Sequence, residues 1–323
     1  MADGTVQCRA ACTGTEHLYL ADLTIPQGRE QPIATRPLRA YLALAIGVLC
    51  ISTTAIFTKW ADMPGPVTAV WRMIIAAAIL ALPLWRRARG WSPTARRAVP
   101  WGIMGGLWFA VNLGMLNSAL TLTSAATATL LDNIAPVWVG LGALVLFRER
   151  LRLGYWAGLA LALGGAAVVT GFNPAGGFRL QAGDALAFAG ALFYAGYLLT
   201  TQRARRSLDG LSYQCLVAPV AAVALLVVCA LMDLPLTGYP LQSYAAMAAV
   251  ALLAQVGGWL LISYALGHVP ASAAVVVLLA QPVVTGLLSI PLLGEPLTMP
   301  QLAGGAFLLT GIYLCLRATD GAL

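Results

Sequence analysis

Residues 131–165 read LDNIAPVWVGLGALVLFRERLRLGYWAGLALALGG, and residues 279–311 read LAQPVVTGLLSIPLLGEPLTMPQLAGGAFLLTG. In the first stretch Pro136 is followed by Glu149, Gly158 and Gly165 at spacings of 13, 22 and 29. In the second, Pro282 is followed by Glu295, Gly304 and Gly311 at the same spacings, so every pair is offset by 146 positions (282 − 136). Upstream, Ser124-Ala125-Ala126 matches Ser272-Ala273-Ala274 at an offset of 148 (272 − 124). The first copy therefore carries two extra residues just before its proline. Four landmarks at one fixed offset are the mark of an internal duplication.

The duplication sits in strongly apolar sequence. Of 323 residues, 60% are hydrophobic and 10% charged, with a mean hydropathy of +0.82. A water-facing surface needs about 25% charge, so a soluble enzyme and a DNA-binding protein are both excluded despite the net charge of +7. The reading is an all-α integral membrane protein with ten transmembrane helices in two inverted-topology five-helix repeats. Each span needs about 20 apolar residues. The expected spans are 40–60, 67–84, 99–119, 122–147 and 153–171 in the first repeat (40–171). In the second (184–316) they are 184–202, 212–232, 243–266, 270–293 and 300–316. Residues 172–183 form an external linker, and 1–39 and 317–323 are cytoplasmic tails. The first tail has no apolar run of signal-peptide length.

An odd number of spans per repeat inverts the second copy in the bilayer. The charges agree. Arg86, Arg87, Arg89, Arg96 and Arg97 follow the second span, Arg148, Arg150 and Arg152 the fourth, and Arg203, Arg205 and Arg206 the sixth. Their counterparts after the seventh and ninth spans hold only Asp233 and Glu295. The positive-inside rule makes the arginine-rich connections and both termini cytoplasmic. Inverted repeats are typical of secondary transporters with a substrate site near the midplane.

These residues resemble the drug/metabolite transporter superfamily, in its EamA-type ten-helix branch. The resemblance is carried by the paired Pro-x12-Glu-x8-Gly-x6-Gly pattern, by Lys59 near the end of the first span and by Arg72 in Trp71-Arg72-Met73. Ser52-Thr53-Thr54 and the aromatic content look most like the YddG-type aromatic amino acid exporters. Leu49-Cys50-Ile51-Ser52 stands where EamA proteins carry a Trp-Gly pair. The resemblance implies an exporter working by alternating access.

Charges within spans cost about 2.5–3.5 kcal/mol at the centre and need a partner, water or a role. Lys59 and Arg72 read either as an interfacial cluster that snorkels to headgroups or as an external gate that receives a substrate carboxylate. Asp132, beside Asn133, is the acid deep in a span. It is a candidate for a substrate ammonium or a coupling proton, against a structural carboxylate satisfied by its neighbours. Pro136 and Pro282 fall mid-span and are expected to kink their helices and act as hinges. Trp101, Gly105, Trp108, Asn112 and Met115 recur at helical spacing, as do Tyr194, Tyr197 and Thr201, and Gln255 with Trp259. Trp108, Trp138, Tyr194, Tyr197 and Trp259 lie too deep for an interface belt, whereas Trp60, Trp85, Trp91 and Tyr155-Trp156 fit one. The expected substrate-binding set is Trp108, Asn112, Asp132, Asn133, Trp138, Tyr194, Tyr197, Gln255, Trp259 and Gln281.

No Walker motif is present, so ATP does not drive the protein directly. One deep acid and no deep histidine argue against an intramembrane enzyme, and no charge ring or carbonyl filter suggests a channel. Nucleotide sugars would need several deep cations. The first reading is a secondary exporter of amino acids, aromatic and other small neutral ones, and the alternative is an exporter of multiple drugs or toxic aromatic cations, which aromatic walls and Asp132 also suit. No cofactor or catalytic residue is expected. Cys8, Cys12 and His17 in the tail read as disordered sequence rather than a metal site. The expected partners are the small solute and the lipid bilayer, with no nucleic acid, and five plus five spans let a monomer form the whole pathway. With 18 Arg, one Lys and abundant Ala, the chain suggests a bacterial inner membrane.

Overall fold

The computed structural model describes residues 37–123, 125–171, 181–294 and 297–320. The tail calls on Cys8, Cys12 and His17, the linker from 172 to 180, Ser124 and Glu295 lie outside the described residues. Every described element is helical. α1 (Pro37–Ala61) and α2 (Gly65–Ala88) are followed by a short α3 (Pro93–Arg97) running into α4 (Val99–Leu122). Next come α5 (Ala125–Asp132), α6 (Ala135–Leu146), α7 (Leu153–Val169), α8 (Ala182–Ala204) and α9 (Gly210–Leu231). α10 (Leu241–Val250) passes through a π-helical segment (Ala251–Gly258) into α11 (Trp259–Ala265), and α12 (Ala271–Leu278), α13 (Gln281–Leu293) and α14 (Met299–Asp320) complete the chain.

Among the described residues, nine helical stretches are long and apolar enough to cross a membrane, and α7, at 17 residues, is a shorter apolar helix. Their outer faces carry apolar stripes at helical spacing, such as Val223, Val227 and Leu231, each more than half exposed. Such stripes face lipid in a bundle of this kind. The protein is a multi-pass membrane protein.

Two features of the spans position the site. The fourth and ninth spans are each interrupted by a two-residue turn just before their proline. α5 ends at Asp132 and α6 starts at Ala135, while α12 ends at Leu278 and α13 starts at Gln281. Pro136 and Pro282 each occupy the second position of the downstream half, where a missing N–H costs nothing. Proline also withholds the donor for the carbonyl four residues back, which is Asp132 in one break and Leu278 in the other. The helical hydrogen bonding is therefore interrupted at both prolines.

The second feature is a contact between glycines. Gly158 and Gly165 on α7 meet Gly304 and Gly311 on α14, so the four repeat glycines form one contact. A methyl group added at Gly165 would lie 2.5 Å from the Gly304 carbonyl oxygen, and one at Gly311 would lie 2.6 Å from that of Gly158. Gly154, one turn before Gly158, has Ala318 at a relaxed 3.5 Å. Close backbone approach of this kind replaces the hydrophobic effect as the packing force between helices in lipid.

Polar caps fix the helix ends. The Gln181 backbone N–H and the Thr123 hydroxyl both donate to the Asp184 carboxylate, at 2.9 and 2.7 Å, tying the end of α4 to the start of α8. At the arginine-bearing end, Asp209 caps α9 by accepting from the Ser212 N–H at 3.2 Å and pairs with Arg87 from the end of α2. Burial raises the Asp209 carboxyl, but the hydrogen bonds from Ser212 and the charge of Arg87 outweigh it and hold it below the usual carboxylate range. A depressed carboxylate contributes stability above its unfolded pKa and loses it as pH falls through the folded value. Arg87→Gln is expected to cost no more than about 1 kcal/mol at neutral pH, because the pair is half exposed. The loss should vanish in acid, below both pKa values, and thermal melting of the purified variant across pH 3–7 checks this.

Candidate functional site

A cavity of about 190 Å³ lies where the two broken spans meet α1, α2, α4 and α8. Asp132, Asn133, Ala135 and Pro136 come from the first break, and Val275, Leu278, Leu279 and Gln281 from the second. Irregular backbone at membrane depth persists only where it lines a cavity or is buried in protein, and here it does the former. The opposing walls hold Arg72 of α2, Thr54 of α1, Asn112 and Leu116 of α4, Tyr194 of α8 and Trp259 of α11.

Two of the polar members, Asp132 and Gln281, are tied to a neighbouring helix. Asn112 donates to the Asp132 carboxylate at 2.9 Å and to the Gly190 carbonyl at 3.1 Å, joining α4, α5 and α8 at one point. Ser52 donates to the Val48 carbonyl at 2.7 Å and lies 3.4 Å from the Gln281 carbonyl, while Thr285 donates to the Ser52 carbonyl at 3.1 Å. The start of α13 is thereby stitched to α1, with the Gln281 side chain facing the cavity. The Arg72 guanidinium stands 6.0 Å from the centre of the Phe109 ring, and its Nε is buried without a hydrogen-bond partner. Asn133 Nδ2 is likewise buried and unpartnered. Unpaired buried donors are rare in folded proteins and mark places where water or a ligand completes the bonding.

Toward the arginine-bearing helix ends the cavity is closed by aromatic rings. Trp259 packs against Phe109 at 5.1 Å and Tyr194 at 6.2 Å, and its other edge meets Tyr197 at 5.1 Å. Behind Tyr197 lies a hydrogen-bonded layer. Gln214 Nε2 bonds the Tyr197 hydroxyl at 3.0 Å, the Ser263 hydroxyl at 2.6 Å and the Trp259 carbonyl at 3.2 Å, and the Thr201 hydroxyl bonds that of Tyr213 at 2.8 Å. One turn further along α8, Arg205 reaches the carbonyls of Ser263 and Leu208. Burial lowers its pKa despite the nearby Asp209.

Of the expected binding residues, the structure brings Asn112, Asp132, Asn133, Tyr194, Trp259 and Gln281 into this cavity, together with Arg72 and Pro136. Trp108, Trp138, Tyr197 and Gln255 do not line it. Trp108 lies against Gly196 of α8, where an added methyl would be 3.1 Å from the indole, and packs on Phe193 at 5.2 Å. Trp138 turns onto Phe188 at 5.5 Å. Tyr197 is fully buried in the layer behind the cavity, and Gln255 is buried in the π segment with its Nε2 unpartnered. Lys59, exposed at the end of α1, is not a cavity residue, and Arg72 does not share its depth, since it is the eighth residue of α2. Pro282 is also outside the lining. Tyr155, expected in an interface belt, is completely buried, with its hydroxyl 3.3 Å from the Ser272 carbonyl. Ser272 in turn donates to Glu149 at 2.5 Å, so a landmark of one repeat holds a landmark of the other. His268 bonds the Tyr264 carbonyl through Nδ1 at 2.8 Å and stacks on that ring. Phe109 and Gln214 were missed. Phe109 was legible as the residue between Trp108 and Asn112 on a helix already marked, but Gln214 gave no signal beyond being a lone amide in an apolar run.

The chain belongs to the EamA-like transporter family of the drug/metabolite transporter superfamily, whose family model matches residues 38–171 and again 181–317. It is similar to a probable terminal-alkyne amino-acid exporter of Streptantibioticus cattleyicolor, 29% identical over 76% of this chain and 81% of that protein. It is also similar to the uncharacterized transporter YwfM of Bacillus subtilis, 23% identical over 75% of this chain and 81% of that one. A crystal structure of a protein 22% identical superposes with a TM-score of 0.72, covering 88% of this chain and 98% of the other, which is a likeness of fold alone. The family and these relatives are transporters, not enzymes, and a membrane transporter of small molecules is what this chain is.

Proposed function

We propose that the protein exports amino acids, aromatic and other small neutral ones, across a bacterial inner membrane by alternating access. In this reading ten spans form two inverted repeats, and both termini face the cytoplasm. The double match to one family model, the two equivalent helix breaks and the arginines at one end of the bundle support it. The observation that carries the substrate class is that Arg72 and Asp132 both line one small cavity with aromatic walls. A zwitterion presents one carboxylate and one ammonium to such a site, and its side chain packs on Trp259, Tyr194 and Phe109. The relative named as an amino-acid exporter agrees.

Export of a flat organic cation is the second reading, favoured by the same rings around Asp132. Arg72 tells against it, because a second cation in a cavity this small repels the first. Uptake of radiolabelled phenylalanine, threonine and a quaternary aromatic cation into proteoliposomes, with and without a pH gradient, separates the two. Saturable amino acid uptake above empty liposomes is expected. Movement of the cation alone would overturn the amino acid reading, and dependence on the gradient would show proton coupling and point to Asp132 as the carrier.

A further inference from the structure

A second concavity, about 440 Å³, lies on the outer surface between α4, the end of α6 and α8. Gly196 and Thr200 leave α8 without bulk there, and the Trp108 indole covers Gly196 to form the base. Trp101, Met104 and Leu146 form walls that are themselves exposed toward the lipid. The rim at one end is basic. The Arg203 guanidinium stands 5.9 Å from the Trp101 ring centre and that of Arg206 5.1 Å from Phe147. Arg148 and Arg150 follow Phe147 in sequence and are exposed. The nearby acids leave this rim cationic, because Asp209 is paired with Arg87 and the single Glu149 carboxylate, which accepts from Ser272, is outnumbered by Arg148, Arg150, Arg203 and Arg206.

We infer that this groove binds one anionic phospholipid, its phosphate held by Arg203 and Arg206 and an acyl chain laid along Trp108. Lipid tails cover any membrane-facing surface, so the groove alone selects nothing. The selection comes from charge, since two guanidinium groups held over aromatic rings at the headgroup level attract a phosphodiester without a compensating cation and bind it through paired N–H groups. Basic pockets between membrane helices take anionic headgroups for this reason. The groove volume lies in the range of small-ligand sites, and its floor at Gly196 and Thr200 places a bound chain beside α8, the helix that also carries Tyr194 of the transport cavity.

The test uses the full-length protein in neutral detergent micelles, titrated with phosphatidylglycerol or phosphatidylcholine brominated on the acyl chain. Bromine quenches nearby tryptophan, and the difference between the wild type and Trp108→Phe isolates the groove from the other indoles. Half-quenching of that difference signal is expected at about tenfold lower phosphatidylglycerol than phosphatidylcholine, and Arg203→Gln/Arg206→Gln should abolish the preference while melting like the wild type. Should the double variant fail to fold, Arg206→Gln alone reads the same preference from an exposed position. Equal quenching by the two lipids would reduce the groove to ordinary lipid contact. A preference that survives the arginine substitutions, or a dimer in intact-complex mass spectrometry whose groove neither lipid reaches, would also overturn the assignment.

Discussion

Arg72→Gln should cut saturable phenylalanine uptake about 10- to 100-fold while leaving uptake of a quaternary aromatic cation unchanged or raised, and Asp132→Asn should impair both. A hydrogen bond to a charged group contributes about 1.5–3 kcal/mol, which is the loss expected when one end of a zwitterion finds a neutral amide in place of its counter-charge. The two substitutions differ in what they leave. Asn at 132 keeps an acceptor for Asn112, whose side chain now bonds both Asp132 and the Gly190 carbonyl, so the junction of α4, α5 and α8 survives. Gln at 72 removes the guanidinium that stands 6.0 Å from the Phe109 ring centre and leaves a neutral amide on a shorter stem. Paired uptake measurements in proteoliposomes, with melting temperatures as a folding control, distinguish loss of recognition from loss of structure. Full phenylalanine uptake by both variants, at unchanged pH dependence, would remove the charge pair from the mechanism.

Gly311→Val is expected to have the largest effect on the fold. The atoms that a side chain at 311 meets are the carbonyl oxygen of Gly158 and the Cα of Ala162, 2.6 and 2.7 Å from the added carbon. Both belong to backbone and cannot rotate away, so α14 must separate from α7 along its length. Overpacking typically costs about 1–3 kcal/mol, occasionally more, and the upper end applies where the neighbour is main chain. Gly164→Val is the control, because a methyl there meets nothing within 4 Å. The measurement is the monodisperse yield and melting temperature of each variant in detergent. Equal behaviour of the two would mean that the α7–α14 contact does not hold the halves together.

Both predictions turn on residues that were legible before any coordinates; the first keeps the roles read for Arg72 and Asp132 in the sequence, whereas the second gives the repeat glycines one that the sequence did not show. The fixed spacing of Pro136, Glu149, Gly158 and Gly165, repeated from Pro282, gave the landmarks. It could not show that the glycines of the two copies touch one another, because periodicity reports a face and not its partner. The same limit explains the third-span aromatics. Residues 101, 105, 108, 112 and 115 lie within an arc of about 80° on one helix, but the cavity is lined by Phe109, Asn112, Leu113 and Leu116, a face turned round the helix from that stripe, and the Trp108 ring lies over Gly196 instead. Phe109, one position on, takes the place beside Trp259.

Composition, span length and charge asymmetry are local or additive properties of the chain, so the sequence by itself determined that this is a helical, duplicated membrane protein with its arginines at one end. A deep acid and mid-span prolines were also visible, because each is costly in lipid wherever it lies. Which of them share a cavity was decided only by tertiary structure. Asp132 and Gln281 are 149 positions apart (281 − 132), and Arg72 lies on a third helix. Their meeting depends on two broken spans restarting at the same depth and on α1, α4 and α8 being stitched to those breaks by Ser52, Thr285 and Asn112. Those are contacts between distant segments, and no pattern within a single helix encodes them.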